Sequence, residues 1–164
     1  MLLPGDTGMM PPGQPLQKLA MLKGIDPLLH ADLLHVLRAM GHGDELAVVD
    51  ANFPAASLGR RVVRVDGVSA TRTLEAVLSV LPLDDFVDAP CARMEVVGDP
   101  DAVPEICGEF QAIVDRVEGR PVELAKLERF AFYARAREAF ALVQTGETRL
   151  YGNVLLKKGV VRPA

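Results

Sequence analysis

The stretch that decides the fold is residues 26–50, DPLLHADLLHVLRAMGHGDELAVVD. Asp26 and Pro27 predict the start of a helix, because Asp is a favoured N-cap and Pro suits the first helical position. The apolar residues that follow recur on one helical face: Leu29, Leu33, Val36, Leu37 and Met40. Gly41 can end this helix, and the apolar run over 46–50 predicts a short buried strand.

Helices and strands continue to alternate outward from this stretch. Ser69 is a suitable cap for the next helix. Helices are predicted over 69–81, 101–117 and 127–139, strands over 61–66, 92–97, 141–145 and 153–157, and loops over 52–54 and 82–90, while 122–124 is too short to assign. The pattern predicts a single-domain α/β sandwich, with helices packed on a central sheet.

The composition limits the classes of protein to which the chain can belong. Its 164 residues suit one compact domain, and 49% hydrophobic and 24% charged residues are an ordinary globular mix. A net charge of −4 argues against nucleic-acid binding, which usually needs a basic excess. Six Phe, two Tyr and no Trp argue against a broad stacking surface. A small ligand or another subunit is the expected partner.

The N-terminus and the cysteines predict a cytoplasmic protein. Residues 1–20 carry several Pro and Gly, which predicts a flexible N-terminal extension, and no signal peptide, before one domain over 21–164. No apolar run approaches the ~18–20 residues of a membrane span, so no membrane partner is expected. Cys91 and Cys107 form no Cys-x-x-Cys pair and have no His at metal spacing, so two reduced thiols are expected.

His42 is the clearest candidate for acid–base chemistry. It stands between Gly41 and Gly43, after the predicted helix and before the predicted strand, which predicts an exposed side chain. Imidazole titrates near neutral pH and can both give and take a proton. A surface His without a task fits the same spacing. His30 and His35 are predicted on the polar side of the first helix, as structural or surface residues.

Other polar residues are candidates for ligand binding. Asp50 ends a predicted strand, where ligand-facing carboxylates are common in α/β folds, although it could equally form a turn. Arg129 begins an arginine-rich helix whose charges could also be a solvated face. The segment Tyr151-Gly152-Asn153 suits hydroxyl binding or a β-turn. No His-Glu-x-x-His pattern, phosphate loop or dinucleotide fingerprint is present, so no metal is expected.

Six segments carry a family resemblance when they are taken in order. They are Met21–Pro27, Met40–Glu45, Asp50–Ala55, Arg129–Tyr133, Thr145–Glu147 and Tyr151–Gly159. Together they resemble the L-fucose mutarotase family, which is related to D-ribose pyranase. The resemblance implies a cofactor-free isomerase that interconverts sugar anomers, with His42 as proton donor. The residues that would hold the sugar, L-fucose above all, are Asp50, Arg129, Tyr151, Gly152 and Asn153.

The resemblance also implies how the protein assembles. Members of the family form ring-shaped oligomers, typically decamers, so a homo-oligomer with a monosaccharide ligand is expected. The ribose branch tends to have a His where this chain has Arg129, which favours the fucose branch. D-ribose pyranase is the alternative within the family, and a non-catalytic sugar-binding or transport-accessory protein is the alternative outside it.

The chemistry of mutarotation constrains where the site can be. One proton must reach the ring oxygen of the sugar and another must leave the anomeric hydroxyl, which suits a group such as His42. His42 and Asp50 are separated by a predicted strand, which at ~3.3 Å per residue holds them up to roughly 25 Å apart. Either Gly43 bends the chain back or the site is shared between subunits, and we expect the shared site.

Overall fold

The structure of the protein is a computed structural model that describes residues 21–163. Its strands are β1 (Glu45–Val49), β2 (Val62–Val65), β3 (Cys91–Met94), β4 (Leu124–Leu127), β5 (Ala141–Thr145) and β6 (Val154–Lys157). Its helices are α1 (Ala31–Ala39), α2 (Ala55–Leu58), α3 (Ala70–Leu78), α4 (Glu105–Glu118) and α5 (Arg129–Glu138). The strands form one six-stranded sheet in the order β2-β5-β1-β6-β3-β4, which confirms a single mixed α/β domain. The predicted extension, residues 1–20, lies outside the described residues.

Five strands of this sheet run in one direction, and β6 runs against both of its neighbours. Val48 of β1 lies beside Val143 of the parallel β5 and beside Val154 of the antiparallel β6. The ends of β1–β5 and the beginning of β6 therefore meet at one edge of the sheet, which we call the carboxyl edge. The beginnings of β1–β5 and the end of β6 form the opposite edge, which we call the amino edge.

The sheet has an apolar core on each face. Along β1, Leu46 and Val48 belong to the core formed with α1, α3 and α4. Ala47 and Val49 belong to the smaller core formed with α2 and α5. This alternation is the two-residue period of a strand, and burial on both faces explains why the strand reads as a continuous apolar run. The central strands are thus fixed from both sides, and the loops at the two edges carry the polar groups.

The first helix begins later than the sequence predicts, at Ala31. Asp26 instead caps a turn, in which its Oδ1 accepts a hydrogen bond from the Leu28 backbone N–H at 3.0 Å. Nη2 of Arg72, in α3, lies 2.8 and 2.7 Å from the two oxygens of the same carboxylate. A tertiary ion pair therefore holds this Asp in a turn that competes with helix. His30 consequently precedes α1 as its N-cap residue and does not lie on it.

Other elements also differ from their predicted limits. Helix α4 begins at Glu105 and not at residue 101, because Pro104 disfavours helical backbone in Val103 before it. β3 ends at Met94, earlier than the predicted 97. β4 begins at Leu124, the last residue of the segment that the sequence leaves unassigned, and ends at Leu127, where the sequence predicts the start of a helix. It is an edge strand paired with β3. The sequence predicts no helix where the structure has the short α2.

Candidate functional site

Asp50 and Asn153 hold each other at the carboxyl edge, just after β1 and just before β6. The Asp50 backbone N–H donates to Asn153 Oδ1 at 2.9 Å, and Asn153 Nδ2 donates to Asp50 Oδ2 at 2.8 Å. The other carboxylate oxygen accepts from the Asn52 backbone N–H at 2.9 Å. Both side chains are buried, so their positions are set without a ligand. A carboxylate has about four acceptor sites, which leaves Asp50 able to accept from a ligand hydroxyl.

Burial raises the pKa of the Asp50 carboxyl above its ordinary value, because the charged form loses hydration. Hydrogen bonds from Asn153 and from the backbone of Asn52 and Phe53 oppose this rise, and the nearby charge of Glu147 adds to it. Asp50 is therefore easier to protonate than an exposed Asp. A carboxyl with a raised pKa at a strand end is a common feature of functional sites.

The turn after β5 brings Gly146 and Glu147 to the same edge. A Cβ on Gly146 would lie 2.6 Å from the Gly67 backbone N, so the close approach requires a glycine. The Glu147 backbone carbonyl accepts from the Ala51 N–H at 2.9 Å, directly after the end of β1. The end of β5 is thereby locked against the end of β1, which adds to the rigidity of the carboxyl edge.

The Glu147 side chain joins this turn to two helices. Its Oε1 accepts from Arg149 Nε at 3.0 Å, and its Oε2 accepts from the Ala70 backbone N–H at the start of α3 at 3.3 Å. Arg149 in turn donates to Glu109 of α4 at 2.6 Å. Hydrogen bonds from Arg149 hold the pKa of Glu147 below its ordinary value, against the opposing effect of burial. This carboxylate is therefore ionised and fully engaged in structural contacts.

Tyr151 has an unusual backbone conformation beside a glycine that must stay small. Its φ is +63°, a value that costs a residue with a Cβ roughly 1–2 kcal/mol. A Cβ on Gly152 would lie 2.8 Å from Glu147 Cγ and 3.0 Å from Ile106 Cδ1. The Tyr151 hydroxyl accepts from the Val97 backbone N–H at 3.1 Å and keeps its own proton to donate. Surrounding contacts thus hold a strained segment at the carboxyl edge, as functional sites often do.

Arg129, the first residue of α5, lines a cavity of about 370 Å³ at the carboxyl edge. Its Nε is buried and has no hydrogen-bond partner among the described residues. Its guanidinium carbon lies 4.7 Å from the centre of the Phe130 ring. Val97, whose N–H holds the Tyr151 hydroxyl, lines the same cavity. A buried donor without an acceptor is costly, so this nitrogen is free to donate a hydrogen bond to an added acceptor.

His42 lies at the opposite, amino edge, in the loop before β1. Its Nε2 is 3.1 Å from Asp84 Oδ1, and its ring centre is 5.4 Å from that of Phe86. The His42 side chain is 48% exposed, whereas the side chain of Asp84 is buried. The Asp84 backbone N–H donates to the Lys157 carbonyl, at the end of β6, at 3.0 Å. A buried carboxylate anchored to the sheet thus orients a half-exposed imidazole.

The charge of Asp84 decides the tautomer of His42. Burial by itself would raise the pKa of the Asp84 carboxyl, but hydrogen bonds from the Phe86 backbone N–H and from His42 hold it below its ordinary value. An ionised carboxylate can only accept, so the proton of a neutral imidazole sits on Nε2. Nδ1 then keeps a lone pair, and no described residue occupies it. A polar partner that fixes the tautomer in this way is typical of working histidines.

The structure brings together most, but not all, of the residues that the sequence selects. Five of them lie at the carboxyl edge: Asp50, Arg129, Tyr151, Gly152 and Asn153. His42 lies at the other end of β1 from Asp50. Gly43 has a φ of +84°, and its N–H donates to the Lys158 carbonyl, but this turn leads straight into β1. It does not return His42 to Asp50 within one chain.

Sequence reasoning misses two carboxylates of these edges, Asp84 and Glu147. Asp84 lies in a predicted acidic loop. The one sequence feature that could have singled it out is its position two residues before Phe86, in a chain with few aromatic residues. Glu147 belongs to one of the six family segments but receives no role from sequence. The exposed His30 has its Nε2 3.2 Å from the Arg64 carbonyl, and His35 is also exposed.

The described residues hold neither a metal-binding cluster nor a helix suited to a membrane. Within residues 21–163, no three or more His, Cys, Asp or Glu side chains converge on a point that could hold a metal ion. No helix in the same range is long and apolar enough to cross a membrane.

The fold is that of a single-domain α/β protein with a buried Asp50–Asn153 pair at one edge of the sheet and the His42–Asp84 pair at the other. The chain belongs to the RbsD / FucU transport protein family, whose model matches residues 23–161. The resemblance drawn from the six segments is thus confirmed.

Three relatives illustrate this membership. The chain is 47% identical over 146 residues to the fucose mutarotase of Homo sapiens, covering 85% of this chain and 94% of that protein. It is 44% identical over 140 residues to the L-fucose mutarotase of Actinobacillus pleuropneumoniae, with 85% and 97% covered. The structure of the fucose mutarotase from Streptococcus pneumoniae in complex with L-fucose is similar with a TM-score of 0.78 and 42% identity, covering 86% of this chain and all of that one.

Proposed function

We propose that this protein is a mutarotase, an isomerase that interconverts the α and β anomers of L-fucose. The observation that carries the proposal is the pair formed by the half-exposed His42 and the buried Asp84, 3.1 Å apart. It provides a titratable ring with one nitrogen oriented and the other available. The names of the relatives and the fucose complex of one of them support the choice of sugar. No cofactor is needed, because acid–base catalysis is enough to open and close the sugar ring and no net oxidation or reduction takes place.

In this mechanism His42 transfers protons through Nδ1. The protonated ring donates to the ring oxygen of the sugar while a base takes the proton of the anomeric hydroxyl. The bond between the anomeric carbon and the ring oxygen breaks, which leaves an open-chain aldehyde. Rotation about the bond next to the aldehyde exposes its other face, and the reverse transfers close the ring as the other anomer. Asp84 acts as a positioning residue, because it accepts a hydrogen bond from Nε2 and leaves Nδ1 available to the sugar.

The carboxyl edge supplies the groups that hold the sugar. Asp50 accepts from a hydroxyl, and Arg129 Nε and the Tyr151 hydroxyl donate to sugar oxygens. Gly152 keeps the backbone at this edge narrow, and Asn153 fixes Asp50. Because these groups are already fixed by buried contacts, little ordering remains to be paid on binding.

We further propose that the site is completed between subunits of a ring-shaped homo-oligomer. His42 and the sugar-holding residues lie at opposite edges of one sheet, so one chain cannot bring them to one monosaccharide. Two copies that meet carboxyl edge to amino edge can do so. Such heterologous contacts generate closed rings when the rotation between subunits closes. A decamer is the assembly that the family resemblance implies.

The two cysteines support a cytoplasmic location. Cys91 and Cys107 are free and buried, and burial raises the pKa of the Cys91 thiol to about 12. Neither thiol is paired, which suits a reducing compartment. We propose that the protein works in the cytoplasm, where a monosaccharide is available for metabolism.

The test is the rate of anomer exchange of L-fucose, measured by saturation-transfer NMR. The protein should accelerate the exchange, and His42→Ala should lose about 10²–10⁴-fold of the acceleration, because proton transfer by a positioned side chain contributes that much. His35→Ala is the matched control, since His35 is an exposed His on α1, and it should keep full activity. Both variants should remain folded at the temperature of the assay.

The same measurement separates the alternatives. Acceleration with D-ribose but not with L-fucose would make the protein a ribose pyranase. Binding of either sugar without acceleration would make it a non-catalytic sugar-binding protein. Full activity in His42→Ala would refute the role of His42.

A further inference from the structure

Arg93 is a buried arginine without a carboxylate partner. It lies on β3 and is 5% exposed. Among the described residues no carboxylate lies within ion-pair distance of its guanidinium, whose Nη1 donates a long hydrogen bond, 3.3 Å, to the carbonyl of the next residue, Met94. A hydrogen bond also links the guanidinium to the Cys107 thiol, which is not an anionic partner. A buried cation normally has an anion beside it, because removing an unpaired charge from water is unfavourable. The structure therefore leaves a place for an anion next to Arg93.

A cavity of about 460 Å³ opens beside Arg93, between α4 and the edge strand β4. Cys107 and Gly108, in the first turn of α4, form one wall, and Lys126 of β4 lies on the other. A Cβ added to Gly108 would meet no atom within 4 Å, so this wall is bare backbone facing open space. The neighbouring Arg93 guanidinium opposes the rise that burial causes in the pKa of the Cys107 thiol, which places its charge at this wall.

We propose that this cavity binds a phosphate group, with Arg93 as its principal ligand. The planar guanidinium suits two parallel hydrogen bonds to an oxyanion. Lys126 adds a second positive charge, and its present partner Asp101 is an exposed side chain that is readily displaced. Gly108 lies in the first turn of α4, near the positive end of the helix dipole, although α4 alone would not make a site. The cavity is larger than a phosphate, so the group that carries it can extend from the opening.

One acidic side chain, Glu123, also lines the cavity. It is exposed and forms no ion pair with Arg93. Its charge should weaken anion binding without preventing it. The variant Glu123→Gln should therefore bind phosphate more tightly, by about threefold at low salt, because one repulsive charge is removed. If Glu123 were instead the natural partner of Arg93, this variant would lose stability.

The phosphate site would be close to the proposed sugar site but separate from it. Cys107 Sγ lies 3.8 Å from the Tyr151 carbonyl, so a single side chain separates the two. None of the groups proposed to hold the sugar lines the phosphate cavity. Phosphate binding and mutarotation are measured independently, so failure of one proposal leaves the other standing.

The test is calorimetric titration of the full chain with inorganic phosphate, compared with sodium chloride at the same ionic strength. Phosphate should bind at one site per chain and chloride should give no saturable heat. Arg93→Met should weaken phosphate binding by about tenfold or more, because hydrogen bonds to a charged group are lost. Arg116→Met is the matched control, because it removes an exposed arginine of α4 that pairs with Glu75. It should leave the affinity unchanged.

Two more variants keep the test decisive if Arg93→Met does not fold. Arg93→Lys keeps the positive charge but loses the two parallel N–H donors of the guanidinium, so phosphate should bind several-fold more weakly. Gly108→Leu fills the cavity and leaves Arg93 in place, and it should also abolish binding.

A hexose 1-phosphate titrated in parallel distinguishes the two sources of the phosphate group. Tighter binding than that of inorganic phosphate indicates a phosphate ester as the ligand, and weaker binding indicates the free ion. Equal phosphate binding in Arg93→Met and Arg116→Met, or no saturable binding by the unaltered protein, would overturn the proposal.

Discussion

The two edges of the sheet differ in how their polar groups are held. At the carboxyl edge, Asp50 and Asn153 exchange two hydrogen bonds and are both buried. At the amino edge, the His42 ring is half exposed and has one polar contact, with Asp84. The Asp50–Asn153 pair is therefore held rigidly by its own buried contacts. The amino edge presents a single oriented ring to its surroundings.

The difference suggests a division of labour between the edges. A group that holds hydroxyls gains from being fixed in advance, because binding then requires little ordering. A group that transfers protons must reach the substrate, and it tolerates exposure as long as its orientation is set. If a second chain brings its carboxyl edge to this amino edge, both requirements are met in one site.

The largest effect is expected from mixing two inactive variants. His42→Ala and Asp50→Asn should each lose most of the mutarotase activity alone. When they are combined in one oligomer by co-expression with different tags, about a quarter of the sites should have both residues intact, if subunits mix at random. Activity measured by saturation-transfer NMR should return accordingly.

A control mixture removes the ambiguity of this experiment. His42→Ala with Asp84→Asn alters two residues of the same edge, so every shared site lacks one of them, and no activity should return. Absence of recovery in both mixtures, despite mixed oligomers, would mean that the site lies within one chain.

A second comparison concerns the rigidity of the two edges. Gly146→Ala should reduce the free energy of unfolding by about 2–3 kcal/mol, because the new Cβ would lie 2.6 Å from backbone at Gly67. Gly43→Ala, at the amino edge, meets no atom within 4 Å and is strained only by its φ of +84°, so about 1 kcal/mol is expected. Urea denaturation measures both. Equal losses would contradict a more rigid carboxyl edge.

The smallest expected effect is a difference in how stability changes with pH. The pKa of Asp84 is lowered, so its contribution to stability is present above its ordinary value of 3.8 and is lost as the pH falls through the folded-state pKa. The pKa of Asp50 is raised, so its ionised form opposes folding at higher pH, and this penalty disappears as the pH falls towards 3.8.

Urea denaturation of Asp84→Asn and Asp50→Asn across acid pH tests these signs. As the pH falls, the unaltered protein should lose stability relative to Asp84→Asn below 3.8, and should gain stability relative to Asp50→Asn above it. A constant difference in the free energy of unfolding, caused by altered hydrogen bonds, does not affect the test, because only the change of that free energy with pH is compared. Slopes of the same sign would contradict the different surroundings of the two carboxylates.

Much of the fold follows from local sequence patterns. The apolar run of β1 and the alternation before Gly67 predict two strands close to their observed limits. Ser69 is the predicted cap, and its Oγ accepts from the Arg72 backbone N–H at 3.2 Å. These elements depend on neighbours within a few residues, so the sequence contains their signal. The predicted start of α1 is wrong, because the observed start depends on an ion pair between Asp26 and Arg72, which are far apart in the chain.

The candidate site divides in the same way. Residue type and position select His42, Asp50, Arg129 and the segment 151–153. Asp84 escapes selection because its role comes from contact with His42, 42 residues away, and no local pattern encodes that distance. The buried Nε of Arg129 is equally invisible in a helix that reads as a solvated face.

The sequence by itself determined the α/β class, the buried central strand, the family and the residue types available for proton transfer and hydroxyl binding. Only the tertiary structure decided which of these residues meet. Strand order places β1 between β5 and β6 and brings Asn153 to Asp50 across 103 residues. The physical reason is that the two-residue period of a strand specifies which face is buried but not which strand lies beside it. The same order sends His42 and Asp50 to opposite edges.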